Sequence, residues 1–578
     1  MRPLLEPTTI MRTMKHLYPL AAILFCLSAA AVHAADAPVS AATAPASLGT
    51  LPNFRLLDHN GRSHTAHRYV DAHALVFMAV PPKGTDNATR LAEFARLAEE
   101  FTPRGIYFFA ITPSASPGNL PGMAGQAPVL LDDAHIVLPV LGLDRAYECL
   151  LASTRDWEVI FRGDLLGQHE GARGLADAVR AFHKGALEPF ATAARGEVLP
   201  LNPMPQELSY TRDIVPILQS RCVTCHSDGN IGPFAMTSHR KIAGWAPMMA
   251  ESIRAGFMPP WQADPAFGHF SNSLAITTEE KRTLLAWLDG GAPNNAPDND
   301  PLATAPRPAP REWKLGQPDL VISLPEPQRI PAEGEMEYRY YEVPLDLPEG
   351  TWLRGTEMRT DQPQVNHHML VYLHQPGKSI DFTEEYIASY VPGHAPGFFP
   401  PDTGKPVPRG AGLLFQLHYT PNGKAVVDRP ELGLYFHKTP PPHEVFLGSA
   451  VNRHFEIPPY ATEHEASATF TAPDDIVVYS LSPHMHFRGR RMYFEAEYPN
   501  GQREVLLSVP DYDFQWQHSY HLAEPRTLPR GTRVHVAGAF DNSIRNPLNP
   551  DPARRLYWGD QSDDEMFIGS ILYRHASR

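Results

Sequence analysis

Asn366-His367-His368-Met369 opens the run 366–374, where Val371, Tyr372 and Leu373 mark a β-strand and two adjacent imidazoles stand at its start. Three further short stretches repeat the theme: Gln416-Leu417-His418-Tyr419, Pro483-His484-Met485-His486 and Asp564-Glu565-Met566. Alternate side chains of a regular strand share a face, so His484 and His486 project together. Met566 can join them from a neighbouring strand. His367 and His368 point to opposite faces of an ideal strand, so both reach one ion only where the backbone is bulged or twisted. His418 then completes a three-imidazole set. Imidazole suits several first-row metals, whereas a thioether is a poor ligand for zinc or magnesium and a good one for Cu(I). Two sites of different softness are expected, His367/His368/His418 and His484/His486/Met566, suited to two copper ions. The remaining histidines of this region (His374, His394, His437, His454, His464, His518, His521) read as structural.

Around these stretches the sequence alternates with a period of two. Runs at 336–343, 369–374, 413–419, 476–481 and 533–540 are apolar or β-branched and separated by turn residues, which predicts sandwiches of short strands. The span is too long for one small sandwich of roughly 100 residues, so two are expected, 313–440 and 441–578, dividing near 438–444.

Upstream, a segment at 207–293 contains Cys222-Val223-Thr224-Cys225-His226. This spacing is that of covalent c-type haem attachment, with two thiols for the vinyl groups and the imidazole for iron. A zinc site needs a second ligand pair, and a thiol-redox pair needs no trailing His. Met258, in Gly256-Phe257-Met258-Pro259-Pro260-Trp261, is the expected sixth ligand, its prolines holding the loop extended; Met236, Met248 and Met249 compete. Helical periodicity at 211–221 and 278–288 is consistent with a small all-α domain, and the segment resembles cytochrome c domains. A linker rich in Pro, Ala, Asn and Asp follows at 294–310.

A first domain is expected at 51–194. Strand-length apolar runs at 75–80 and 105–112 flank a helix at 89–101, and further strands follow at 128–131 and 158–163, the order of an α/β unit. With the phrase Asn53-Phe54-Arg55-Leu56-Leu57-Asp58-His59-Asn60-Gly61, this domain resembles the thioredoxin-like peroxiredoxin and thiol-oxidoreductase family. That resemblance implies a reactive thiol after the first central strand, and here Pro81-Pro82-Lys83-Gly84 stands instead. The implied module is degenerate, with a docking or scaffolding role, and Cys149 reads as a buried small residue.

Lys15 and His16 precede an apolar run at 20–31 that ends in Val32-His33-Ala34, so residues 1–34 read as an export signal and the protein as periplasmic or secreted. Of four cysteines, Cys26 leaves with the signal and two belong to the haem motif, so a disulfide-free fold is expected. Lys+Arg 50 against Asp+Glu 64 among 578 residues argues against nucleic acid, and no later stretch has the ~20 apolar residues of a membrane span.

Taken in order, His367-His368-Met369, Gln416/His418/Tyr419, His484-x-His486 and Asp564-Glu565-Met566 resemble the copper type II ascorbate-dependent monooxygenases, the family of peptidylglycine α-hydroxylating and dopamine β-monooxygenases. The resemblance implies two jelly-roll-like sandwiches, one copper each, facing a shared solvent cleft. It implies C–H hydroxylation with O2 at the His484/His486/Met566 copper, the all-His copper storing the second electron. Here the haem stands in for ascorbate as internal donor, itself reduced by a periplasmic partner. The substrate is an unidentified organic molecule. Ser482 stands where peptide-amidating members carry a carboxylate-binding Arg, and Ile568 and Ser570 where they carry Asn and Tyr. A peptidylglycine substrate is therefore not implied. Two other readings stay open: a non-enzymatic copper- and haem-binding protein for electron transfer or metal handling, and a carbohydrate- or protein-binding module.

Overall fold

Both faces of the first domain's sheet are covered, which is why its strands read as unbroken apolar runs. Ala74, Val76, Met78 and Val80 pack into one core and Leu75, Phe77 and Ala79 into another on the opposite face. The sheet runs Val129–Leu131, Ile106–Thr112, Ala74–Ala79, Glu148–Ser153, Val159–Asp164, Phe190–Ala191. Its first three strands are parallel, and Glu148–Ser153 enters antiparallel to its two neighbours. The helix Asn87–Phe101 buries Leu91, Phe94, Leu97 and Phe101. Glu148–Ser153 lies in the middle of the sheet although the sequence reading names no strand there. Cys149 is fully buried in it, as expected.

The structure is a computed structural model describing residues 48–116, 127–167, 173–186, 188–295, 300–305, 312–378, 385–391 and 396–577. The signal, the linker at 35–46, Cys26 and His394 lie outside the described residues. Among the described residues no helix is long and apolar enough to cross a membrane.

In the second segment, a π-helical turn Tyr210–Ile214 leads into the helix Val215–Arg221, and Thr278–Asp289 begins at a capping box in which Thr277 and Glu280 satisfy each other's backbone N–H. A third helix, His239–Arg254, escapes the periodicity reading because Pro247 lies inside it. The loop after this helix does not run extended: Trp261 N–H turns back to Pro259 O (2.8 Å). The chain then leaves the helices and lies along strand Tyr520–Leu528, an edge of a later sheet, with Ala523 N–H donating to His269 O (2.8 Å) and Ser271 N–H to His521 O (2.9 Å). Edge strands need such cover. The expected linker is partly tied down, since Leu302 sits in the helical core.

The last part forms two sandwiches of mainly antiparallel sheets. In the first, Arg339–Pro344, Gly412–Tyr419, Asn366–His374 and Tyr386–Tyr390 face a sheet built on Trp352–Arg359 and Glu431–Phe436. In the second, Phe446–Val451, Ile568–His575, Ile476–His484 and Tyr520–Leu528 face His464–Thr471, Arg533–Phe540, Gly489–Glu497 and Arg503–Val509. His443–Glu444 pairs with Thr403–Pro406 of the first sandwich, so the division falls after residue 444 rather than at 440.

Candidate metal centre

Asn366 pairs with Tyr419 and His368 with His418, leaving His367 as one extra residue in its strand. This bulge turns two neighbouring imidazoles to the same side. The ligand atoms of His367, His368 and His418 lie within 4.8 Å of one another, and the Nδ1 atoms of His367 and His368 are 3.1 Å apart. Nitrogens bound at ~2.0–2.1 Å around one ion sit roughly 3 to 3.5 Å apart, and the His367–His368 separation matches that. All three rings are buried. Burial pushes the His367 pKa down to about 4, that of His418 to about 3, and that of His368 well below its ordinary value, so the rings are neutral and free to coordinate. His367 Nε2 and His418 Nδ1 are buried without a hydrogen-bond partner, a costly state that a bound cation relieves.

The second group forms where strand Ile476–His484 ends. The rings of His484 and His486 are 5.2 Å apart and nearly perpendicular, although the strand stops at the first of them. His484 Nδ1 donates to Gln517 Oε1 (2.7 Å), which leaves Nε2 for a ligand. His486 Nδ1 donates to Asp564 O (3.3 Å), and the Gln561 carbonyl lies beside the same ring. Burial lowers both imidazoles' pKa values. Glu565 fastens the two chain segments: its carboxylate accepts from the backbone N–H of His486 (2.9 Å) and of Arg488 (2.6 Å). Burial pushes its pKa up to about 8 against those donors. His484 pairs with Ile568, where one strand ends and the other begins, and the half-buried Met566 lies in the segment just before that second strand.

Aromatic rings pack against both groups. Phe514, 1% exposed, stacks on His367 at 4.7 Å and meets His486 edge-on at 5.8 Å. Tyr338 packs against His418 (4.7 Å) and hydrogen-bonds Ser562 across the sandwiches (2.9 Å). Tyr512 clamps the backbone between the two histidines: Met485 N–H donates to its hydroxyl (3.1 Å), and that hydroxyl donates to Met485 O (2.6 Å). Sequence reasoning missed Tyr338, Tyr512, Phe514 and Gln517. For Tyr512, Phe514 and Gln517 the signal is the aromatic and amide density of 511–518, which has no period, and Tyr338 carries none. The Ser482 hydroxyl donates to that of Ser519 (2.8 Å).

Cys222 and Cys225 are free, and the turn after helix Val215–Arg221 brings His226 N–H onto Cys222 O (2.9 Å). Burial pushes the Cys222 thiol up to about 12 and also raises that of Cys225. His226 Nδ1 donates to Phe234 O (3.0 Å), which leaves Nε2 for iron. On the Nδ1 side the chain packs close at Gly232, where a Cβ would sit 2.8 Å from His226 Nδ1. These donors fit a c-type haem. Met258 is half-buried and lines a cavity of about 460 Å³ with Arg55, Trp261 and Lys281. Among its competitors, Met236 and Met249 fill the helical core and Met248 is exposed.

No protein-family model matches the chain. Among solved structures it is similar to a hypothetical protein from Sinorhizobium meliloti 1021, at 20% identity over 27% of this chain and 95% of that one, with a TM-score of 0.24. It is also similar to the thioredoxin domain of a thiol-disulfide oxidoreductase from Bacteroides vulgatus (10% identity, 24% of this chain, 98% of that one, TM-score 0.20). A peroxidoxin from Mycobacterium tuberculosis is similar at 17% identity, over 24% of this chain and 94% of its own, with a TM-score of 0.19.

Proposed function

We propose that the chain is an exported, haem-linked dicopper monooxygenase that hydroxylates a C–H bond of a small or peptide-like substrate. The observation that carries this reading is the bulge at His367, which gathers three buried imidazoles where a regular strand would separate two of them. His367, His368 and His418 would hold one copper, His484, His486 and Met566 the other, and Cys222, Cys225, His226 and Met258 the haem. When bound, the haem supplies electrons singly, and the coppers supply redox storage and the chemistry of O2.

The chain's own residues bind, orient and exclude water. Gln517 and Asp564 fix the ring orientations of His484 and His486 through Nδ1. Phe514 packs on His367 and His486, and Tyr338 on His418, which keeps water from those rings. Ser482 offers no charge, so the substrate is held without a carboxylate clamp at that position. This last feature also favours the alternative, a copper- and haem-binding protein of electron transfer or metal handling.

The deciding experiment is metal analysis with copper EPR on the full chain and on His367→Ala and Met566→Ala. The expected result is about two coppers and one haem per chain, with each variant losing about one copper. A wild-type protein that keeps no copper after dialysis overturns the proposal. If copper is present but O2 does not reoxidise the reduced haem in a copper-dependent way, the non-enzymatic alternative replaces it.

A further inference from the structure

Asp511 opens the loop 511–519, which brings Gln517 to His484 and Phe514 to His486. Its carboxylate is buried and accepts three guanidinium N–H bonds: from Arg55 (2.9 Å) and Arg68 (3.1 Å) of the first domain, and from Arg490 of its own sandwich (2.6 Å). Arg490 also donates to Ser63 O of the first domain. Burial alone would raise the Asp511 pKa, but the guanidiniums overcome this and hold it well below the usual carboxylate range. From this anchor the loop delivers Tyr512 to both backbone groups of Met485, Phe514 to the rings of His367 and His486, and Gln517 to His484. The Arg55 guanidinium lies against Gly256, two residues before Met258, at a place where a Cβ would sit 2.4 Å from it.

We propose that Arg55 and Arg68 are positioning residues which, through Asp511, hold loop 511–519 in the shape that orients His484 and His486 for metal binding. The first domain is then an electrostatic latch on the site, a role that needs no thiol. The proposal rests on the dicopper reading for its metal consequence and on geometry alone for the latch.

Ion pairs on a surface hold little, but a buried carboxylate with three guanidinium donors is costly to break from one side. Losing the arginines therefore frees the loop. Outer contacts of metal-binding histidines are worth about 10- to 100-fold in affinity, which sets the size of the effect.

The test uses the full-length protein in four variants: Arg55→Ala with Arg68→Ala, Asp511→Asn, the two combined, and Arg55→Lys with Arg68→Lys. Arg96→Ala, which removes a surface pair with Glu93 on helix Asn87–Phe101, is the control. Hydrogen exchange on the metal-free protein reads the loop directly. Exchange at 511–519 is expected to rise about tenfold in the double alanine variant and in Asp511→Asn, with no further rise when they are combined. The lysine variant restores most of the protection, and the control changes nothing. Copper titration with EPR is expected to show binding weakened about 10- to 100-fold at the His484/His486 site in the alanine and Asn variants. Unchanged loop exchange overturns the latch, as do additive effects of the two changes or loosening spread evenly over the first domain. A wild type that binds no copper sinks the dicopper reading instead, and the exchange data still decide the latch.

Discussion

His367 and Phe514 differ in how far residue identity alone reveals a role. Adjacent histidines and a thioether in ordered short stretches carry a chemical signature, so the six proposed copper ligands are legible from their types. A phenylalanine carries none, because aromatic side chains fill cores throughout the molecule. Phe514 is legible only in three dimensions, where its ring packs against His367 of one imidazole group and His486 of the other. Removing it leaves an unfilled space next to both. Phe514→Ala is expected to lower stability by about 3–5 kcal/mol, the usual cost of truncating a buried phenylalanine, while keeping all six proposed ligands. Urea unfolding measures the loss, and a change under 1 kcal/mol would mean the ring is not packed as described. Cys149 poses the opposite case. Its thiol is fully buried in a central strand, and burial raises its pKa well above the ordinary value. The native protein is expected to leave it unlabelled by a charged thiol reagent that reacts with the denatured chain. Rapid labelling of native Cys149 would contradict that burial.

At the scale of elements, alternation exposes the sandwich strands well, and the run at 533–540 coincides with strand Arg533–Phe540. Periodicity fails where another rule intervenes. Pro247 hides the helix His239–Arg254, and in strand Glu148–Ser153 the apolar run shrinks to Cys149–Ala152 between Glu148 and Ser153, too short to stand out. The need for a bulge at His367 is legible as a condition, but its presence follows from register, which only pairing partners define. The contact between loop 511–519 and the helical segment is equally invisible in sequence. There His518 Nε2 donates to Pro260 O (2.6 Å), and burial lowers the imidazole pKa to about 4. The unfolded value is ~6.5. Between these pH values the unfolded chain binds a proton that the folded chain does not. The contribution is therefore fully present above about pH 6.5 and is lost as pH falls towards 4. His518→Gln is expected to cost about 1–3 kcal/mol at pH 7, the range for an orphaned buried partner, and visibly less at pH 4.5. Thermal or urea unfolding at both pH values checks this, and an equal cost at each would remove His518 as the source.

For the whole molecule, sequence divides the chain into an α/β domain, a helical segment and two sandwiches, and each of these appears. What the sequence conceals is how little the helical segment stands alone, because contacts between distant segments leave no local pattern. Trp261 follows that segment's third helix, yet it is 8% exposed and belongs to the core of the second sandwich, with Tyr520 at 4.8 Å and His518 at 5.6 Å. Residues beyond it hydrogen-bond along Tyr520–Leu528, and Asp264 N–H reaches Ser508 O (2.9 Å). Unfolding the helices while the sandwich stays folded would pull an indole from a packed core and bare a sheet edge. Either event alone costs several kcal/mol, so the two bodies are expected to melt together. Far-UV circular dichroism at the helical band and tryptophan fluorescence should give coincident thermal transitions in the wild-type chain. Trp261→Ala removes the link at a cost of about 3–5 kcal/mol to the sandwich and is expected to separate the two curves. Two well-resolved transitions in the wild type would show that the helices and the sandwich share a boundary without sharing a core.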